Sequence, residues 1–189
     1  MSLPITFHPT DEIPDVLVVE TRLFRDERGY FAENFVAEKW RKSGLATEFV
    51  QDNLSLSAKG TLRGMHYQIE PYGMGKYIRT VAGSVFDVAV DLRSGSPTFG
   101  KWVGRTLSAE NGLGLWIPSG FAHGFLALED NSVLYYKCTA SWAPGAERAL
   151  NYADPEVAIA WPEKPSIVSP KDEEASMLKD AEYNFAYLG

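Results

Sequence analysis

Two histidines carry the most chemical potential in this chain of 189 residues. His66 lies within Gly60-Thr61-Leu62-Arg63-Gly64-Met65-His66-Tyr67-Gln68. His123 ends Gly112-Leu113-Gly114-Leu115-Trp116-Ile117-Pro118-Ser119-Gly120-Phe121-Ala122-His123. An imidazole titrates near neutrality, so it serves equally as a general base or as a metal ligand. Lys76 and Arg63 flank the first histidine in sequence. A lysine can stabilise a developing enolate oxygen, and an arginine fork suits a phosphate. Taken singly, each residue has a plainer reading. A lone buried histidine is more often a core group than a catalyst, and Lys76 after Gly75 suits a solvated turn. The set gains weight because both segments are expected to line one cavity.

The elements that must position these residues read as β from residue 48 to about 139. Short apolar runs at Phe49 to Ser57, Thr61 to Ile69, Lys76 to Val81, Ser84 to Leu92, Lys101 to Leu107, Leu113 to Ile117, Gly124 to Leu128 and Val133 to Thr139 are divided by Gly, Pro, Asn, Asp or Ser. Many short strands with frequent turns indicate a sandwich or barrel and not a βαβ fold. Upstream, residues 15–20 and Tyr30 to Phe35 read as strands around an Asp26-Glu27-Arg28-Gly29 turn, and residues 36–43 as a helix ended by Gly44. Downstream, Ala143-Pro144-Gly145 is a turn and Asp172 to Asp180 reads as a helix. Within residues 84–91, Phe86, Val88 and Val90 share one face and Val85, Asp87, Ala89 and Asp91 the other. Those two aspartates either line a cavity or coat a solvated face. Strict alternation also sets Arg63 and His66 on opposite faces, unless a bulge at Gly64 re-aims one of them.

The spacing resembles that of cupins, double-stranded β-barrels of the jelly-roll type. Gly60, five residues and His66 match the opening of their first motif, and Gly83 closes it. Gln68 stands where a second histidine is usual, and Lys76 where a glutamate is usual. Gly112, Pro118, Gly120 and His123 match the second motif, with Ala127 at its asparagine position. The glycines fit and the ligands do not. A divalent cation needs several imidazole or carboxylate donors, and an ammonium beside it repels it. The expectation is a barrel pocket without a metal, holding His66, His123, Lys76 and Arg63 and suited to an anionic ligand and proton transfer.

Composition limits the alternatives. The length suits one domain, residues 1–189, with N-terminal strands and a C-terminal helical extension. A net charge of -7 argues against non-specific nucleic-acid binding, so an anionic ligand would need a few focused cations. No apolar run reaches the roughly 18 residues of a membrane span, and the N-terminus lacks the pattern of a signal peptide. The single cysteine, Cys138, cannot form an internal disulfide. A cytoplasmic protein is the expectation.

Longer motifs sharpen this reading. Asp26-Glu27-Arg28-Gly29-Tyr30-Phe31, Phe49-Val50-Gln51-Asp52-Asn53, Leu62 to Gln68, Gly75-Lys76, Val85 to Arg93, Ser96 to Trp102, Trp116-Ile117-Pro118, Gly120 to Phe125, Tyr136-Lys137 and Ser169-Pro170-Lys171-Asp172 occur in order. Together they resemble the dTDP-4-dehydrorhamnose 3,5-epimerase family. The resemblance implies a homodimer with exchanged N-terminal strands. It implies cofactor-independent epimerisation of dTDP-4-keto-6-deoxyglucose at C3 and C5 on the way to dTDP-L-rhamnose. It further implies that His66 is the base, Asp172 its orienting partner, Tyr136 the acid and Lys76 the enolate stabiliser. Arg28, Glu33, Gln51, Asn53, Arg63, His123, Glu147 and Lys171 fall at positions that contact substrate, some of them across the dimer. The sequence departs from the family pattern at Leu54, at Gly73-Met74 and at Ser141-Trp142, where Trp142 is a candidate stacking platform for the base. Three other readings stay open: an epimerase of a single centre, a cupin that only binds a sugar nucleotide, and a metal-dependent cupin.

Overall fold

A computed structural model describes residues 4–189. Its strands are β1 (Ile5–Pro9), β2 (Leu17–Thr21), β3 (Phe24–Asp26), β4 (Gly29–Phe31), β5 (Gln51–Ser57), β6 (Thr61–Gln68), β7 (Lys76–Ala82), β8 (Ser84–Asp91), β9 (Trp102–Ser108), β10 (Leu113–Ile117), β11 (Phe121–Ala127), β12 (Ser132–Cys138), β13 (Glu147–Ala149) and β14 (Ile167–Val168). The helices are α1 (Ala37–Lys42) and α2 (Pro170–Glu173). Two sheets face each other. One has the order β1-β2-β10-β7-β12-β5, and the other β13-β6-β11-β8-β9 with β14 added alongside β6. Every pairing between the described strands is antiparallel except that of β14 with β6. This is the mainly β jelly-roll architecture expected from the motif spacing. None of the described helices is long and apolar enough to cross a membrane.

The core lies between the sheets. Ile78, Leu115, Ile117 and Leu134 from the first sheet pack on Val85, Ala89, Val103, Leu107, Phe121 and Phe125 from the second. Val88 and Val90 point the other way, into a second cluster with Met65, Tyr67 and Leu150. The alternation read in residues 84–91 is therefore the one that forms. Gly83 makes the corner between β7 and β8, which carry the chain from one sheet to the other. Its φ is +67° and a Cβ there would press on Ser132. A third cluster covers the outer face of the first sheet, where Trp40 of α1 is fully buried among Ile5, Val19, Tyr77 and Trp116.

Several expectations shift. The strand expected over Tyr30 to Phe35 is only the short arm of the β3–β4 hairpin, closed by the Asp26 to Gly29 turn. That hairpin is a separate sheet, docked by the Arg25 pair with Glu110 and the Tyr30 hydroxyl on Ala109 O. No helix spans Asp172 to Asp180. The chain makes α2 and then a single 3-10 turn at Leu178–Asp180. Between them Ser176 bridges to Leu150, and the Asp154 carboxylate accepts from Leu178 N, so tertiary contacts replace helical bonds. Asp91 does not line a cavity. Its carboxylate anchors Arg93, Ser96 and Thr98 at the far end of β8.

Candidate active site

The central strand of the site is β6, and its geometry depends on one irregularity. On β11, His123 lies opposite His66 but Phe125 lies opposite Arg63, so β6 carries one residue more than its partner over this interval. The extra residue resets the alternation, and Arg63 and His66 line one cavity while Met65 packs behind. Gly64 sits at the bulge with φ of +136°, and a Cβ there would collide with the backbone of His123 and Gly124. Only glycine fits both conditions.

The cavity has a volume of about 620 Å³ and opens between the two sheets. His66 lines it from the second sheet. Its Nε2 donates to Asp172 Oδ1 at 2.6 Å, which leaves the lone pair on Nδ1. The partner comes from α2, 106 residues further along the chain. Ser169 caps this helix through its hydroxyl and Pro170 occupies the first turn, which fixes where Asp172 points. The other oxygen, Oδ2, accepts from Gly64 N at 3.4 Å, tying the carboxylate to the bulge. Burial pushes the Asp172 carboxyl up, but the hydrogen bond and charge of His66, with the bonds from Gly64 and Ser169, leave it below its ordinary value.

Tyr136 and Lys76 approach from the opposite sheet. Tyr136 points inward and its neighbour Tyr135 outward, where the Tyr135 hydroxyl donates to Asp52. Burial raises the Tyr136 phenol above its usual range, against the opposing pull of Arg63. The phenol therefore keeps its proton at neutral pH. Lys76 is buried, and its ammonium donates to His66 O at 3.3 Å. Burial lowers its pKa, while interactions with Cys138, Asp87 and Glu147, in that order, offset part of that. His123 sits between Phe121 and Phe125 on the inner face of β11, and its Nε2 donates to Asp87 Oδ2 at 2.9 Å. Burial lowers the His123 pKa, and the attraction of Asp87 only partly restores it, so the ring is neutral.

The mouth is lined by Gln51, Asn53, Arg63, Trp142, Glu147 and Lys171. Arg63 is aimed by Ser57 Oγ and Leu56 O, at 3.1 and 3.2 Å. Lys171 pairs with Glu147 at 2.9 Å. Trp142 is largely exposed, and its backbone N–H donates to Gln51 Oε1. Gln68, in the place of the second cupin histidine, is used differently. Its amide bonds Tyr72 O, Ser141 O and Ala143 N, clamping two loops at the rim. Among the described residues, no three His, Cys, Asp or Glu side chains converge as a cation site.

Two expected contacts do not reach this cavity within the chain. Arg28 is exposed and paired with Asp26, and Glu33 is paired with Lys39. Leu54, where the sequence departs from the family, points away from the cavity and is exposed, whereas Met74 lines it. Ser55 also lines the cavity and escaped notice. The period of two running from Gln51 through Asn53 was the signal for it.

Comparison with known proteins gives a consistent result. The sequence profile of the family described as dTDP-4-dehydrorhamnose 3,5-epimerase matches residues 10–180. A protein of that description from Shigella flexneri is 51% identical over 173 residues, covering 91% of this chain and 96% of the relative. One from Pseudomonas aeruginosa is 49% identical, covering 90% and 94%. A solved structure from Legionella pneumophila, a dTDP-6-deoxy-D-glucose-3,5-epimerase in complex with dTDP-4-keto-L-rhamnose, superposes with a TM-score of 0.88 at 46% identity. It covers 93% of both chains.

Proposed function

The chain belongs to the dTDP-4-dehydrorhamnose 3,5-epimerase family, isomerases of dTDP-L-rhamnose biosynthesis, and on that footing we propose which residues carry the reaction. The substrate is a dTDP-linked 4-keto-6-deoxy sugar, bound with its ring between the two sheets. The C4 carbonyl acidifies the hydrogens on C3 and C5. His66 removes one through Nδ1, and the electron pair of the broken C–H bond moves onto the C4 oxygen as an enolate. The buried Lys76 ammonium stabilises that oxygen. Tyr136 then delivers a proton to the opposite face of the carbon, and the enolate collapses to the ketone. The configuration is inverted, and the chemistry requires no redox step or cofactor.

One observation carries this reading: the His66–Asp172 pair and Tyr136 line the same cavity from opposite sheets. A base and an acid on opposing walls are what inversion through a planar enolate demands. Asp172 holds the imidazole in one tautomer and stabilises the imidazolium formed on proton abstraction. The neutral phenol of Tyr136 keeps its proton until the enolate needs it. At the mouth, Arg63 and Lys171 suit the diphosphate, and Trp142 gives the thymine a stacking surface beside Gln51 and Asn53.

The molecule is also proposed to act as a homodimer with exchanged N-terminal strands. The β3–β4 hairpin joins neither main sheet and exposes Phe24, Tyr30 and Phe31. Docking that hairpin on a second copy would cover these rings. It would also bring Arg28 and Glu33 to a site they do not reach in their own chain.

The test of the two-wall mechanism is Tyr136→Phe in D2O. With the acid gone and the base intact, His66 can still remove a proton and return a deuteron to the same face. Deuterium should then enter the sugar while inversion falls by about 10²-fold or more. Unchanged inversion in this variant would show that another group supplies the proton.

A further inference from the structure

Asp87 lies behind the wall of the cavity, on the inner face of β8, and is fully buried. One carboxylate oxygen accepts from His123 Nε2 at 2.9 Å, and the other, Oδ1, has no hydrogen-bond partner. Arg105, opposite it on β9, does not neutralise it, because that guanidinium turns outward to Glu12 at 2.8 Å. A carboxylate buried between two sheets without a cation is expensive to ionise. Lys76 is the cation of the same inter-sheet cluster: it bonds His66 O, His66 lies opposite His123, and His123 holds Asp87.

Lys76 has the complementary deficit. Its ammonium is buried, and its hydrogen bond goes to a neutral carbonyl, His66 O, at 3.3 Å. The titratable groups around it are His66 from β6, Asp87 from β8, His123 from β11, Cys138 from β12 and Glu147 from β13. Glu147 already has Lys171 at 2.9 Å. Burial pushes the Cys138 thiol up and the His123 imidazole down, so both are neutral. Asp87 is therefore the one carboxylate among these groups not already matched to a cation.

We propose that Asp87 is a positioning residue for the epimerisation: its carboxylate, held by His123, is the fixed counter-charge that keeps the Lys76 ammonium charged and aimed at the substrate's C4 oxygen. The proposal rests on the reading of Lys76 as the enolate stabiliser. His123 gains a definite part in it. By occupying Oδ2, it leaves Oδ1 as the oxygen free to act on the lysine. When the enolate forms, the ammonium stands between two negative oxygens, one permanent and one transient. The permanent one must be strong enough to keep the proton on nitrogen before substrate arrives, without satisfying the ammonium by a direct bond. The missing partner of Oδ1 fits that requirement.

The test is the dependence of kcat on pH for Asp87→Asn, which preserves shape and removes charge. Losing the counter-charge lowers the Lys76 pKa. The alkaline limb of kcat should move down by about one pH unit or more. KM should stay within about threefold, because the group does not touch the sugar. In a Lys76→Met background the same substitution should move no limb. Profiles that superimpose on the wild type, or an equal shift without Lys76, would overturn the proposal. Lys76→Met at full kcat would instead refute the enolate role beneath it, whereas a crippled Lys76→Met beside an unaltered Asp87→Asn refutes only the part given to Asp87. Should Asp87→Asn fail to fold, carbon NMR of the aspartate carboxyls in the unsubstituted enzyme decides. An ionised Asp87 at neutral pH is expected, and a protonated one would overturn the inference.

Discussion

At the scale of single residues, the proposed division between proton removal and proton delivery rests on groups buried to different degrees. His66 keeps about a third of its side chain exposed, while the Asp172 side chain behind it is 5% exposed. Replacing Asp172 by Asn should leave the ring in place but favour the wrong tautomer, lowering kcat by on the order of 10³-fold in a steady-state assay. The same variant tests the electrostatics of the fold. Although burial raises the Asp172 carboxyl, its bonds hold it below the ordinary 3.8. A carboxyl depressed in the folded state stabilises the fold at every pH above its unfolded value. That contribution disappears as pH falls through the lower, folded value. Asp172→Asn should therefore melt below the wild type at neutral pH, and the two melting curves should converge in strong acid. Little of this pair could be derived locally from the sequence. His66 was marked by its distance from Gly60, but its partner lies 106 residues away on a four-residue helix. No periodicity connects two such positions, and only the family resemblance linked them. Glu147 is a similar case, because the three-residue β13 is too short to show alternation.

At the scale of elements, the bulge in β6 decides whether the pocket exists in a working form. Strand alternation is a local property, so the split of residues 84–91, with Phe86, Val88 and Val90 on one face and Val85, Asp87 and Ala89 on the other, could be read from sequence. Arg63 was the exception, because a bulge depends on the strand opposite. Gly64 was the visible clue, and the register of β6 against β11 supplies the shift of face. Gly64→Ala should be destabilising by about 2–5 kcal/mol, combining the strained φ with the clash against β11. Differential scanning calorimetry should read this as a drop of roughly 5–15 °C in the melting temperature. Residual folded protein should lose activity further, because Arg63 and His66 would no longer share a face. The C-terminal segment resisted sequence reading for a related reason. Its charged residues suggested one helix, while its backbone bonds go to Leu150, Asp154 and β6 instead.

At the scale of the molecule, two outer surfaces behave differently. One face of the first sheet is sealed by α1 and its aromatic cluster, with Trp40 4.6 Å from Tyr77 and 5.7 Å from Trp116, centroid to centroid. Trp40→Ala should be destabilising by about 3–5 kcal/mol in a denaturant titration, with little effect on KM if the remaining fold holds. Further along the same sheet, Leu54, Leu56 and Val81 stay exposed, as do the rings of the β3–β4 hairpin. Light scattering should give about twice the 21.0 kDa chain mass, and Phe31→Asp should shift it toward the monomer. The central claim is that one pocket, with His66 as its base, turns over both carbons next to the ketone. Proton NMR of dTDP-4-keto-6-deoxyglucose with the enzyme in D2O tests it most directly. Deuterium should replace hydrogen at both C3 and C5, and His66→Ala should slow both exchanges by about 10²–10⁴-fold. Exchange at one carbon alone, or exchange that survives the loss of His66, would contradict the account.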